Sequence, residues 1–206
     1  MRWSILIASH HTRHEKLAGL LDLLAPQIVP EVEAVVYWNT GALPVAAYRA
    51  ALLDDAQGEW VSFVDDDDRV PSCYVADILV ALDDDPDQVG FEVEFNDIDG
   101  SVFKPGSYRA FHSLKHKRWY QKGQTFYRDI SHLNPVRTVI ARQGSYGKAG
   151  RSEDVAWADS IRGLVESEVY IPKILYHYDY RRPDPGTPGQ PPVLPEGFRF
   201  HPDSEV

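Results

Sequence analysis

Three short apolar runs, Trp3 to Ala8, Val32 to Trp38 and Trp60 to Val64, each lead into a segment with helical character. After the first, Leu17, Leu20, Leu21 and Leu24 fall at i, i+3, i+4 and i+7, which predicts an amphipathic helix from Arg13 to Leu24, stopped by Pro26 and Pro30. After the second, an alanine-rich stretch from Pro44 to Ala56 is helical, with Pro44 near its first turn and Gly58 beyond its end. After the third, Pro71 opens a helix whose Val75, Ile78, Leu79 and Leu82 share one face. Runs that are mostly apolar and show no strict alternation suit strands buried on both faces. The order β-α-β-α-β-α therefore predicts an α/β fold: a doubly wound, mostly parallel sheet flanked by helices.

The second half is less regular. Phe91, Val93 and Phe95 alternate with Glu92 and Glu94, the pattern of a more exposed strand. A strand is expected over Val136 to Ala141, a helix over Val155 to Leu164 with Trp157, Ile161 and Leu164 inward, and a last strand over Val169 to Tyr178. Seven prolines follow Arg181, so 182–206 is expected to be an extended or disordered tail on a single domain spanning 1–181. The longest apolar stretches, Trp3 to Ala8 and Val75 to Leu82, are too short to span a bilayer. Met1 to Ile7 reads as a strand and not a leader. The single cysteine, Cys73, is expected in the core of its helix. It excludes an internal disulfide and a cysteine-built metal site, and a reducing cytoplasm is the simplest location.

The third apolar run ends in Asp65-Asp66-Asp67-Asp68. In open α/β sheets ligands bind at the carboxyl ends of strands, and carboxylates crowded there repel one another unless a cation joins them. Hard oxygen ligands suit Mg²⁺ or Mn²⁺, with a substrate diphosphate completing the shell. A solvated acidic turn capping the next helix is the plainer alternative. A second acid pair, Glu153-Asp154, precedes the Trp157 helix. A carboxylate there can take a proton from a hydroxyl, or Ser152-Glu153-Asp154 can simply cap the helix.

The string from Ala46 through Arg49, Ala56-Gln57-Gly58-Glu59-Trp60 and Asp65-Asp66-Asp67-Asp68 resembles the central signature of family 2 glycosyltransferases of the GT-A fold. That resemblance implies an inverting, metal-dependent transfer of a sugar from a nucleotide-diphospho-sugar, most readily a UDP-sugar, to an acceptor hydroxyl. It assigns 1–100 to the nucleotide-binding half and 101–181 to the acceptor half. Ser9, Asn39, Arg49, Asp65 and Asp66 would contact the donor. Asn39 stands in Asn39-Thr40-Gly41, where the family usually carries Asp-Gly-Ser. Asp65 and Asp67 would hold the metal, with His177 of Tyr176-His177-Tyr178 as a third ligand. Asp154 would be the general base, with Glu153 as the competing assignment.

The formal net charge of −10 hides an asymmetry, since eleven Lys and Arg stand against the single acid Asp129 between Ser101 and Ser152. Lys115, Lys117, Arg118, Trp119 and Tyr120, with Asn134 and Arg151, are candidate acceptor or phosphate contacts. Cations interleaved with aromatics can cradle a diphosphate, stack a sugar or track a nucleic acid, and they can equally balance the acidic half. Similar short glycosyltransferase-like chains occur in bacteriophages, where some act on hydroxymethylated DNA bases in the host cytoplasm. DNA is therefore a candidate acceptor beside protein and glycan. Two alternatives remain open: a haloacid-dehalogenase-like phosphatase using Asp66-x-Asp68-x-Val70, and a non-catalytic nucleic-acid-binding module built on Lys115 to Arg128.

Overall fold

The computed structural model describes residues 1–41, 43–147, 153–182 and 186–204. The first apolar run forms β1 (Trp3–His10), which pairs in parallel with β2 (Val32–Asn39) on one side and β3 (Trp60–Phe63) on the other. Helices α1 (His14–Leu24), α2 (Val45–Asp55) and α3 (Tyr74–Leu82) follow these strands in turn. Successive side chains of a strand point to opposite faces, and β1 uses both. Ile5 and Ile7 pack against Leu17 and Leu20 of α1 and Val75 and Ile78 of α3. Leu6 faces the other way, with Leu52 and Leu53 of α2 and with Trp157 of a later helix. Two cores on two faces are what the unbroken apolar runs called for.

The second half extends the sheet with mixed polarity. β4 (Gln88–Asp97) runs antiparallel to β5 (Gly106–His112), and the hairpin of β6 (Tyr120–Lys122) and β7 (Thr125–Arg128) lies beyond β5. β8 (Val136–Arg137) is antiparallel to β3 and meets β4 at Gln88. The remainder of the expected strand turns into the short helix α4 (Thr138–Ala141), because the Thr138 amide and hydroxyl bond to the Glu59 and Gly58 carbonyls. α5 (Glu153–Ile161) buries Trp157 and Ile161 but ends before Leu164, which is 41% exposed and not inward as expected. β9 (Glu168–Tyr180) lies parallel to β4 along its length, with a bulge near Glu92. The alternation of Phe91, Val93 and Phe95 with two glutamates thus belongs to a strand covered on both edges.

Two further expectations are corrected. Cys73 is exposed, immediately before α3, and the buried tyrosine beside it fills the core position instead. The proline-rich tail is not wholly irregular. After its Pro195 the chain forms β10 (Phe198–Phe200), parallel to the outer edge of β2. Phe198 and Phe200 pack on the α1 side of the sheet, and Arg199 pairs with Glu33 and Asp55. Proline lacks the amide donor a sheet needs, but the Phe-Arg-Phe run after it does not. Among the described residues no helix is long and apolar enough to cross a membrane.

Candidate active site

Gly58 sets the approach of the acidic strand. A side chain there would come within 2.5 Å of the Ser4 backbone nitrogen, and its amide donates to the Ser4 hydroxyl at 2.8 Å. Only glycine lets the turn lie so close to β1. β3 then delivers the four aspartates, and their carboxylates diverge. Asp65 accepts from Arg49 at 2.7 Å and lies 3.3 Å from His132 Nε2. Burial alone would raise its pKa, but the Arg49 guanidinium and His132 outweigh that and hold it well below the usual range. Asp66 is 1% exposed and accepts from the Ser9 hydroxyl at 2.7 Å and Arg13 at 2.8 Å. Burial pushes it up to about 6, with Arg13 and Ser9 pulling the other way. Asp68 turns toward β9, where it accepts from the Tyr176 hydroxyl at 2.8 Å and the Asp179 amide at 2.9 Å. Asp67 remains partly open, 3.4 Å from Arg13 and 3.6 Å from Lys16.

Two hollows meet at these residues. A cleft of about 570 Å³ is bordered by Asp65, Asp66 and Asp67 and by the cations Arg13, Lys16, Arg181 and Arg182. A cavity of about 420 Å³ lies beside it, walled by Phe95, Trp119, Phe126, His112 and His132 and reached by Asp154. Arg49, Asp65, Glu153 and Tyr178 border both, so they form the partition. Glu153 is 3.4 Å from Arg49, whereas Asp154 is 3.6 Å from His132 Nδ1 and borders the aromatic cavity alone. The two acid groups, far apart in sequence, thus converge, and His132 lies between Asp65 and Asp154. No spacing rule singles out His132. Its backbone carbonyl accepts from Phe63 at 2.8 Å, which fixes it beside the end of β3.

Other expected contacts fall elsewhere. Ser9 and Asn39 are buried and border neither hollow; Ser9 holds Asp66, while Asn39 closes the turn after β2 through Leu43 and Gly41. Asn134 is fully buried, donating to the Val89 carbonyl at 3.0 Å, so it is a brace beneath the cavity. Arg151 lies outside the described residues. Of the Lys115 to Tyr120 patch, Trp119 alone reaches the cavity. Phe126 and Arg128 point into the cavity, while Tyr127 between them points away and stacks on Tyr120 at 4.6 Å. Lys115 sits over the Tyr170 ring, and Lys115, Lys117 and Arg118 border neither hollow.

His177 does not join the acid cluster. It is paired across the sheet with Glu94, 2.9 Å from its carboxylate, whereas Tyr178, one residue on, reaches the partition. Strand alternation puts the two on opposite faces. Among the described residues there is no group of three His, Cys, Asp or Glu side chains that could hold a metal. The donor set that does line the cleft, Asp65 and Asp67, matches what Mg²⁺ uses when one or two carboxylates and substrate phosphates share it. Of the Asp66 to Asp68 pair in the phosphatase reading, Asp66 borders the cleft but is held by Ser9 and Arg13, and Asp68 is held by Tyr176 and borders neither hollow.

These features define a GT-A-like mixed α/β fold with two adjoining hollows at the end of its acidic strand. Solved structures of Staphylococcus aureus TarS share this fold. A structure of its residues 1–349 superposes with a TM-score of 0.65 at 17% identity, covering 87% of this chain and 60% of that one. The same protein in complex with UDP-GlcNAc gives 0.62 at 16%, covering 89% and 60%, and in complex with UDP it gives 0.60 at 17%, covering 87% and 61%. The chain therefore spans about 60% of the length of these neighbours. No protein-family model matches the sequence, and no curated protein matches it.

Proposed function

We propose that this chain is a glycosyltransferase that moves a sugar from a nucleotide-diphospho-sugar to a hydroxyl with inversion. The observation that carries the reading is the shared partition. A cation-rich cleft and an aromatic cavity meet at Arg49, Asp65 and Glu153, with Asp154 on the cavity side. The neighbour's complexes with UDP-GlcNAc and UDP support a UDP-sugar as the donor.

In this reading the diphosphate lies among Arg13, Lys16, Arg181 and Arg182, whose charges offset the negative charge that grows on it as it leaves. Asp67, with Asp65, would supply oxygens to Mg²⁺ or Mn²⁺; bound there, the ion adds Lewis-acid stabilisation of the leaving diphosphate. Arg49 fixes Asp65 and Glu153 as the wall between donor and acceptor. Asp154 takes the proton of the acceptor hydroxyl as its oxygen bonds to the anomeric carbon. Glu153, tied to Arg49, is the weaker candidate for that role. The Lys115, Lys117 and Arg118 patch borders neither hollow, so it gives no support to a DNA acceptor.

The test is NMR of UDP-GlcNAc incubated with the protein and Mn²⁺, with water as the default acceptor. Slow release of sugar in the configuration opposite to the donor's is expected, and Asp154→Asn should abolish it. Retained configuration would overturn the inverting step. Unimpaired turnover by Asp154→Asn would overturn the assignment of the base.

A further inference from the structure

Arg128 differs from Arg13 and Arg49 in how it is held. It ends β7 with its side chain in the aromatic cavity, its guanidinium carbon 4.4 Å from the centre of the Trp119 ring and 5.3 Å from that of Phe126. Trp119 is itself fixed, its indole nitrogen donating to the Ile130 carbonyl at 2.7 Å. Arg13 and Arg49 each hold carboxylates at ion-pair distance. Among the described residues Arg128 has no carboxylate that close, and its hydrogen bond is to the Tyr127 carbonyl at 3.1 Å. Burial works against its charge, partly offset by the fields of Asp154 and Asp129, but a guanidinium stays protonated. A half-buried cation stacked between two rings keeps most of its planar fork of donors free. That fork matches a carboxylate or phosphate edge.

The same cavity is also lined by Asp65, Glu153 and Asp154. An anionic group is repelled by these carboxylates and attracted by Arg128, so a molecule bearing one is favoured in the orientation that sets the anion on the guanidinium. Its apolar or ring portion then lies along Phe95, Phe126 and Tyr178, and a hydroxyl at its far side meets Asp154. His112, held neutral at the cavity wall by burial and by Arg128, with a pKa lowered to about 3, adds no competing cation.

We propose that the acceptor is a small group carrying a phosphate or carboxylate, and that Arg128 is the residue that reads this anion and turns the reactive hydroxyl toward Asp154. This rests on the glycosyltransferase reading and specifies its acceptor class. In the transfer, the acceptor oxygen bonds to the anomeric carbon and the bond from that carbon to the diphosphate breaks. The diphosphate leaves with the electron pair, the proton passes to Asp154, and the product retains the anion.

The test compares glucose 6-phosphate, glucuronate and glucose by calorimetry on the full chain, with excess UDP present so that phosphate does not report on the cleft. At least one charged sugar is expected to bind about tenfold or more tightly than glucose, and which one does so separates phosphate from carboxylate. Arg128→Met is expected to erase that preference. Should Arg128→Met lack a cooperative thermal transition, Arg128→Lys serves instead; it keeps the charge but loses the stacked fork, and a reduced preference is expected. Equal binding of all three sugars by the unaltered protein would overturn the proposal, as would a preference that survives loss of the guanidinium. Failure of UDP itself to bind counts against the nucleotide-sugar reading alone. The anion preference and its dependence on Arg128 are then read without UDP.

Discussion

Arg49 is bonded to Asp65 at 2.7 Å and lies 3.4 Å from Glu153, and all three border both hollows. Removing the guanidinium leaves two carboxylates facing each other in a partly dry site. Arg49→Met should therefore destabilise the protein by about 3 kcal/mol, read in urea denaturation, and weaken donor binding with it. Had Arg49 only a surface role, the loss would stay under about 1 kcal/mol. His112 gives a pH signature. Its folded pKa is lowered to about 3 by burial, then by Arg128. Below about 6.5 the unfolded chain takes up a proton there that the folded chain refuses, so stability falls as pH drops from 6.5 toward 3. Melting curves of His112→Gln should lose less stability than the unaltered protein over that window, the difference reaching at most ~5 kcal/mol. Parallel pH dependences would exclude this source. At this scale the sequence was partly legible: clustered aspartates announced themselves, and Asp154 lies where its helix start suggested. Spacing did not single out His132, because its place between Asp65 and Asp154 comes from the loop after β7.

In the first half α1 and α3 follow from their i, i+3, i+4 spacing, the strands from short apolar runs, and α2 from its alanines between Pro44 and Gly58. Gly58 is the local device that brings two of them together. With a side chain there meeting Ser4 nitrogen at 2.5 Å and Trp3 carbonyl carbon at 2.7 Å, Gly58→Ala forces backbone atoms apart. A cost of about 2 kcal/mol is expected, seen as a melting temperature lower by several degrees. An unchanged melting point would mean that β1 and the turn are less tightly joined. The basic segment resisted reading because β5 and β7 carry rings on both faces. Phe126 enters the cavity while Tyr127 stacks on Tyr120 outside, so no apolar–polar alternation marks either side. His177 shows the opposite case. Strand parity with Tyr176 and Tyr178 was visible in the sequence, and it puts the imidazole beside Glu94 on the other face. β10 was hidden by the prolines before it. Phe198→Ala should lower stability by about 2 kcal/mol, because the ring is packed on the core but still partly open. A neutral outcome would show the edge strand to be dispensable.

Across the whole molecule, acidic and basic halves are not merely balancing each other. The carboxylates that follow β3 and Glu153 at the start of α5 are met by Arg13, Lys16 and Arg49 from the first half, while among the described residues Arg128 of the second half has no carboxylate at ion-pair distance. In the proposed reading this division separates a cleft for the diphosphate from a cavity for the acceptor. The central claim is that the two hollows have different occupants on either side of one wall. Calorimetric titration of UDP with Mn²⁺ tests it most directly, using the unaltered protein, Asp67→Ala and Asp154→Asn. Binding weakened about tenfold or more by Asp67→Ala and left intact by Asp154→Asn is the expected result. Absence of UDP binding to the unaltered protein, or equal weakening by both substitutions, would contradict it.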